Sequence, residues 1–263
     1  MKILKIGGSI LTREKEIREE VIGRITSEIS SSWGELILIH GVGYFGHPQA
    51  SLCKLNEGLC SDNKSGVYET HRAVIELNKK ILDSLADKGV PVIPIHPLSC
   101  ITGKDGRIDS FNIRCIELAV KNGFLPVLHG DIVSDCVKGC CIVSGDQLVS
   151  YIARKFSHAQ KSSICNHIEK IGVATNVDGV YDKEGKIIRE INPSNLKTIL
   201  NQRFEGGKKY DVTGGMRGKV IELTHIKEES LIFNGEKEGL IRKFLNGTKL
   251  EGTIIRGFLR ERK

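Results

Sequence analysis

Apolar residues come in short runs separated by longer amphipathic stretches. "KILKI" (2–6), "ELILIH" (35–40), "VPVIPI" (90–95), "LPVLH" (125–129) and "SLIFN" (230–234) are nearly unbroken and too short for helices, the pattern of strands buried on both faces. Further strands are predicted near 162–167 and 170–175. Between the runs the period changes. Residues 14–30 are charged and helix-like, and 66–88 place Val67, Val74, Leu77, Ile81 and Leu85 at helical spacing. Helices are also predicted at 111–122, from "SGDQLVSYIARKF" with Asp146 in its first turn, and from "TGGMRGK" to about 229. Asp105-Gly106 at the centre of 101–110 predicts a hairpin, a second hairpin-like segment follows residue 131, and a final helix and strand end the chain. No internal repeat interrupts this order. Strand followed by helix, many times over, predicts an α/β fold: a mostly parallel central sheet with helices on both faces, an αβα sandwich.

In such a sheet, ligands bind beyond the carboxyl ends of the strands. Four glycine loops fall there: Gly7-Gly8-Ser9, Gly41 to His47, Gly130-Asp131 and Thr213-Gly214-Gly215. Lacking Cβ, a glycine lets the chain turn sharply and present amides to an anion, and a following helix N-terminus adds partial positive charge. Lys5 and Lys219 stand beside two of these loops. A lysine inside an apolar strand, two residues before Gly-Gly, is poorly placed to be an idle surface charge. No GxxxxGK[ST] sequence is present, which excludes a P-loop. "GVGYFG" matches GxGxxG literally, yet the acid at the required spacing, Asp62, lies in loop-like "GLCSDNKSG" and not at a strand end. That argues against a dinucleotide fold.

Charge and cysteine content narrow the picture little. Lys and Arg outnumber Asp and Glu by 39 to 32, and the excess of +7 is dispersed, which speaks against nucleic acid as a partner. The eight cysteines form no CxxC pair, and Cys136, Cys140 and Cys141 have no nearby histidine, so they read as structural thiols and no metal ligands are predicted. "MKILKIGGSIL" is too short and too interrupted for a signal peptide or span, and no other stretch is apolar enough, so a cytoplasmic protein without a membrane partner is expected.

The loops occur in a telling order: "KIGGSILT", "HGVGYFGH", Gly130-Asp131, "SGD" at 144–146, "TNVDGVY", then "DVTGGM" followed by Lys219. The ordered set resembles the amino acid kinase superfamily, which phosphorylates carboxylates, carbamate and some phosphates. Within it, His47, "DVTGGM" and the closing "LIFNGEKEGLIRKFLNGTKLEGTIIR" are similar to the isopentenyl phosphate kinases; fosfomycin kinases share the histidine. The resemblance spans essentially the whole chain. It implies an acceptor-binding lobe at 1–143 and a nucleotide-binding lobe at 144–263 on one continuous sheet, ATP with Mg²⁺ as donor, isopentenyl phosphate as acceptor, and a homodimer.

The same resemblance implies roles. Lys5 and Lys219 would neutralise the transferring phosphoryl group, and Asp146 would orient them, though a carboxylate in a helix's first turn also has a purely structural use. Gly43, Tyr44, Gly46, His47 and Gly130 would hold the acceptor phosphate, His47 by donating a hydrogen bond; the alternative for His47 is a helix cap near Pro48. Gly7, Gly8, Ser9, Thr175, Asp178, Gly179, Gly214 and Gly215 would line the nucleotide, while Thr175 and Tyr181 could equally be packing residues. Residues Val67, Tyr68, Val74 and Ile75 could wall an isoprenoid tail or simply belong to the core. Three positions depart from the family pattern: Glu14 where a lysine is usual, with Lys15 adjacent; Asn176 where aspartate is usual; and Tyr44 in place of serine. Other readings stay open: a kinase for fosfomycin, a nucleoside monophosphate or a carboxylate, or an inactive nucleotide-binding regulatory or storage protein.

Overall fold

Strand β1 (Lys2–Ile6) runs parallel to β4 (Leu36–His40), with Ile6 opposite His40. Between them lie a short helix α1 (Gly8–Leu11), a small hairpin β2 (Thr12–Arg13) and β3 (Glu16–Ile17), and helix α2 (Glu19–Ser30). The computed structural model describes residues 1–14, 16–44, 51–158, 167–202 and 214–257. After β4 come α3 (Lys64–Ala86), β5 (Val92–Pro94), α4 (Pro97–Cys100), the hairpin β6 (Ile101–Lys104) and β7 (Arg107–Phe111), α5 (Arg114–Lys121) and β8 (Leu125–His129). The chain continues with β9 (Asp131–Asp135), β10 (Gly139–Val143), α6 (Gly145–His158), β11 (Lys170–Thr175), β12 (Glu190–Ile191) and α7 (Leu196–Leu200). The last described elements are α8 (Gly215–Thr224), β13 (Ser230–Asn234), α9 (Leu240–Leu245) and β14 (Thr253–Ile255).

The central sheet has the order β12-β14-β13-β11-β1-β4-β8-β5 and is parallel apart from the β13/β14 pairing. A smaller sheet, β10-β9-β6-β7, packs Ile101, Phe111, Val133, Cys141 and Val143 into the same core as α6. The predicted mostly parallel sheet with helices on both faces is therefore what forms. Some boundaries differ: the helix expected from 111 starts at Arg114, because Phe111 still belongs to β7. Thr12–Arg13 and Glu16–Ile17 pair as a hairpin, with Glu14 at φ +54°, so the helix expected from 14 begins at Glu19. The helix expected to reach about 229 ends at Thr224. Of the strand expected near 162–167, residues 162–166 lie outside the described residues.

Strand alternation decides which layer each residue of the sheet end meets. Along β1, Ile3 faces the core shared with α6 and α8, whereas Leu4 and Ile6 face the core shared with α2, α3 and α9. Lys5 therefore belongs to the α6 face, one position before the strand's carboxyl end. On β4, Leu36 and Leu38 face α2 and α3, which puts His40 on that opposite side. Strands β4 and β8 are buried at every position, each large apolar side chain contributing about 1.5–3 kcal/mol relative to exposure. A rigid sheet end thus carries Lys5 on one face and His40 on the other.

Candidate active site

Lys5 is only 5 % exposed. A buried ammonium requires a partner, and the start of α6 supplies one. Ser144 Oγ accepts the Gln147 amide at 3.1 Å and caps the helix, leaving Asp146 in the first turn directed at the end of β1. Lys5 Nζ lies 3.1 Å from Asp146 Oδ1, an ion pair outside hydrogen-bond geometry, and donates to Oδ2 at 3.3 Å. Lys219, in the second turn of α8, donates to the same Oδ2 at 2.9 Å. One carboxylate thus holds two ammonium groups, leaving one net positive charge in a nearly dry pocket. Burial pulls the Lys5 pKa down to about 8, more than Asp146 raises it. Burial also works against the Asp146 carboxylate, but Lys219 and Lys5 together outweigh it and hold the group at about 2.

The glycine loops do something the motifs alone did not foretell. A methyl group added to Gly8 would fall 2.0 Å from the Gly43 nitrogen, and one on Gly41 would fall 2.7 Å from the Gly8 nitrogen. Two backbones therefore touch where β1 and β4 end, and Gly43 takes φ +52° to allow it. Several amides expected to face a phosphate are used internally. Gly7 N–H donates to Ala174 O, Gly41 N–H to Ile6 O, Gly130 N–H to His40 O, and Tyr44 N–H to Thr12 Oγ1. The amides of Tyr44 and Gly130 are thus bonded within the fold, while Gly43 packs against Gly8. Gly46 and His47 lie outside the described residues, as do Lys15 and Thr213.

On the other side of β1, several positions expected to line the nucleotide gather at the ends of β11 and β13. Ser9 Oγ donates to Asn176 Oδ1 at 3.2 Å. Asp178 Oδ1 accepts from Lys237 Nζ at 2.6 Å and Asn234 Nδ2 at 3.0 Å, and these bonds lower its pKa. Lys237 is a cation that the motifs did not single out. Thr175 is buried and its hydroxyl donates to Val177 O at 2.9 Å, while Gly179 makes room for Thr253 Oγ1. Thr175 is thus bonded within its own loop, and Gly179 packs closely against the start of β14. Gly214 and Gly215, at φ +81° and +56°, open α8 and so aim its N-terminus.

Residues 1–233 match the amino acid kinase family. The chain is 35 % identical to isopentenyl phosphate kinase of Methanocaldococcus jannaschii, over 97 % of this chain and 98 % of that protein. The chain belongs to the amino acid kinase family. It is also 32 % identical to isopentenyl phosphate kinase of Methanothermobacter thermautotrophicus, over 98 % and 99 % of the two chains. A crystallographic isopentenyl phosphate kinase superposes with a TM-score of 0.82 at 28 % identity, covering 97 % of this chain and 99 % of its own. In this amino acid kinase the Lys5–Asp146–Lys219 cluster lies where strand ends and helix N-termini converge.

A second cluster of the kinase, on the opposite face, escaped the motif reading. In register, His40 pairs with His129, and their rings lie 5.5 Å apart. Each donates its Nδ1–H to the carbonyl of the following glycine, at 3.2 and 3.1 Å. His129 Nε2 accepts from His96 Nδ1 at 3.0 Å, and His71 on α3 donates to Asp131 Oδ2 at 2.8 Å. Burial lowers the pKa of His40 and His129, keeping them neutral. Burial works against the Asp131 carboxylate more than the His71 bond favours it, and that same bond raises the pKa of the partly exposed imidazole. The signal was present as the twin strand endings "LIHG" and "VLHG". Of the suggested tail wall, Val74 is buried and Tyr68 is 65 % exposed.

Proposed function

We infer that the chain transfers the γ-phosphoryl group of ATP to isopentenyl phosphate, giving ADP and isopentenyl diphosphate. The observation that carries the chemistry is the buried Lys5–Asp146–Lys219 cluster. The full-length kinship to isopentenyl phosphate kinases supports the acceptor. Phosphoryl transfer asks little covalent chemistry of a protein and much positioning and charge neutralisation. Two ammonium groups fixed by one carboxylate, beside the N-termini of α6 and α8, suit a triphosphate. Gly7, Gly8, Ser9, Thr175, Asp178, Gly179, Gly214 and Gly215 would line the nucleotide, as the family pattern implies.

The acceptor is a phosphate monoester with a second pKa of about 6, so it arrives largely as the dianion and needs no general base. A terminal oxygen of that phosphate forms the new bond to the γ-phosphorus. The bond from the γ-phosphorus to the bridging oxygen breaks, and ADP leaves with its electron pair. His47 donates a hydrogen bond to the acceptor phosphate, with Gly46 beside it. Lys5 and Lys219 offset the charge brought together.

Both Asp146 oxygens face ammonium groups, and among the described residues no group of three or more His, Cys, Asp or Glu side chains could hold a metal. The Asp146 carboxylate is thus engaged by cations, and Mg²⁺ would come in with ATP, bound to its phosphates. The division into an acceptor lobe (1–143) and a nucleotide lobe (144–263), and a homodimer, follow the family pattern. Among the described residues no helix is long and apolar enough to cross a membrane, and the described cysteines are all free thiols, which suits a reducing cytoplasm.

The test is ADP release by purified protein with Mg²⁺-ATP, offered isopentenyl phosphate, fosfomycin, UMP and N-acetylglutamate in parallel. Turnover should be strong on isopentenyl phosphate and lost in His47→Ala. Preference for another acceptor would overturn the substrate while leaving the kinase class; ATP binding without turnover on any would favour a regulatory protein.

A further inference from the structure

We propose that the Arg107–Glu222 ion pair is a positioning device that fixes α8, and with it Lys219, against Asp146. The proposal rests on the kinase reading and adds residues that the motifs did not include.

The geometry begins at the tip of the β6–β7 hairpin. Asp105 and Gly106 take φ +49° and +81°, the two left-handed residues of a tight hairpin turn. The tip is locked from behind by Asp135. Its Oδ1 accepts the amides of Asp105, Val137 and Lys138 at 3.1, 2.8 and 2.9 Å, and its Oδ2 accepts that of Gly106 at 2.8 Å. Burial opposes the Asp135 charge, yet these amides hold its pKa well below the usual carboxylate range. A tip tied this firmly can act as a fixed post.

Two consecutive residues of that tip grip two different helices. Gly106 O accepts from Gln147 Nε2 at 3.3 Å, and Gln147 is the residue after Asp146 on α6. Arg107 places its fork on Glu222 of α8: Nη1 meets Oε1, and Nη2 donates to Oε2 at 3.0 Å. Glu222 lies three residues after Lys219, one turn along the same side of the helix. The hairpin therefore ties the neighbours of Asp146 and Lys219 to one rigid point, while those two residues bond to each other at 2.9 Å.

Chemistry favours positioning over simple adhesion. The Glu222 side chain is 9 % exposed, so its carboxylate is largely dry, while Arg107 reaches it from a half-exposed position. A bidentate guanidinium fixes the orientation of its partner as well as its distance. Lys219 needs that constraint, because its ammonium must stay on Asp146 and still meet a phosphoryl group.

The experiment measures steady-state ADP release and thermal melting for Arg107→Glu, Glu222→Arg, the isosteric Glu222→Gln and the double swap Arg107→Glu with Glu222→Arg. Kinetics are taken well below each melting point, with whichever acceptor the wild type turns over, so an error in the acceptor's identity leaves this test standing. Each single variant should lose kcat by about ten-fold with the acceptor KM nearly unchanged, as expected for a misplaced reacting group. The double swap should recover most of the loss. Single variants that melt earlier but keep wild-type kcat would reduce the pair to a structural clasp and overturn the proposal, as would a double swap no better than the singles. No wild-type turnover on any acceptor would overturn both readings.

Discussion

Lys5 shows how one residue can be read from a sequence and why its behaviour cannot. A charge within an apolar run is visible at once; its environment depends on α6, which starts some 140 residues later. That environment makes the pH dependence specific. The folded chain holds the Lys5 pKa at about 8, below the ordinary 10.5, so the buried ammonium costs stability at neutral pH and the cost lifts as pH rises from about 8 to 10.5. Asp146 runs the other way. With its pKa at about 2 against an ordinary 3.8, its stabilisation is present above 3.8 and is lost as pH falls towards 2. Urea melts across pH, comparing wild type with Lys5→Met, should show the alkaline gain only in the wild type; parallel curves would contradict the assignment. In the free enzyme, kcat/KM should fall as pH rises through about 8. Lys219 is a different case: it too stands beside a glycine loop, but its spacing says less than that of Lys5, and the ordered motifs add the rest.

The elements were legible where periodicity was strong. Buried strands, the long α3 stripe and the Asp105-Gly106 hairpin all stand where the pattern placed them. The hairpin at 12–17 was hidden because its charged residues suit a helix as well as a turn, and Glu14 takes a left-handed φ that no side chain announces. Glycines mark the same limit. They mark the ends of strands, yet at Gly8, Gly41 and Gly43 the pressing need is contact between the ends of β1 and β4, a relation between distant segments. Gly8→Ala should therefore cost about 3 kcal/mol or more, through overpacking against backbone that cannot move aside. Gly23, inside α2 with nothing within 4 Å of an added methyl, is the counterpart. Gly23→Ala should gain about 0.5–1 kcal/mol by favouring the helix. Denaturant midpoints would decide both; equal effects at the two sites would contradict the packing argument.

Across the whole molecule, parallel strands bring their carboxyl ends to one edge, and that edge sorts its chemistry by face. Lys5 meets Asp146 and Lys219 on the α6 side, while His40, His129, His96 and the His71–Asp131 pair gather on the α3 side. The sheet between them is continuous, so the two clusters are held in fixed relation. The central claim is that this edge joins two phosphates, with Asp146 holding the cations that allow it. The most direct measurement is ³¹P NMR of isopentenyl phosphate and Mg²⁺-ATP incubated with wild type and with Asp146→Asn. The wild type should convert the monoester resonance into the coupled doublets of a diphosphate as ADP appears, and Asp146→Asn should slow this by about 10²-fold or more. ADP accompanied only by inorganic phosphate, or an Asp146→Asn enzyme as fast as wild type, would contradict it.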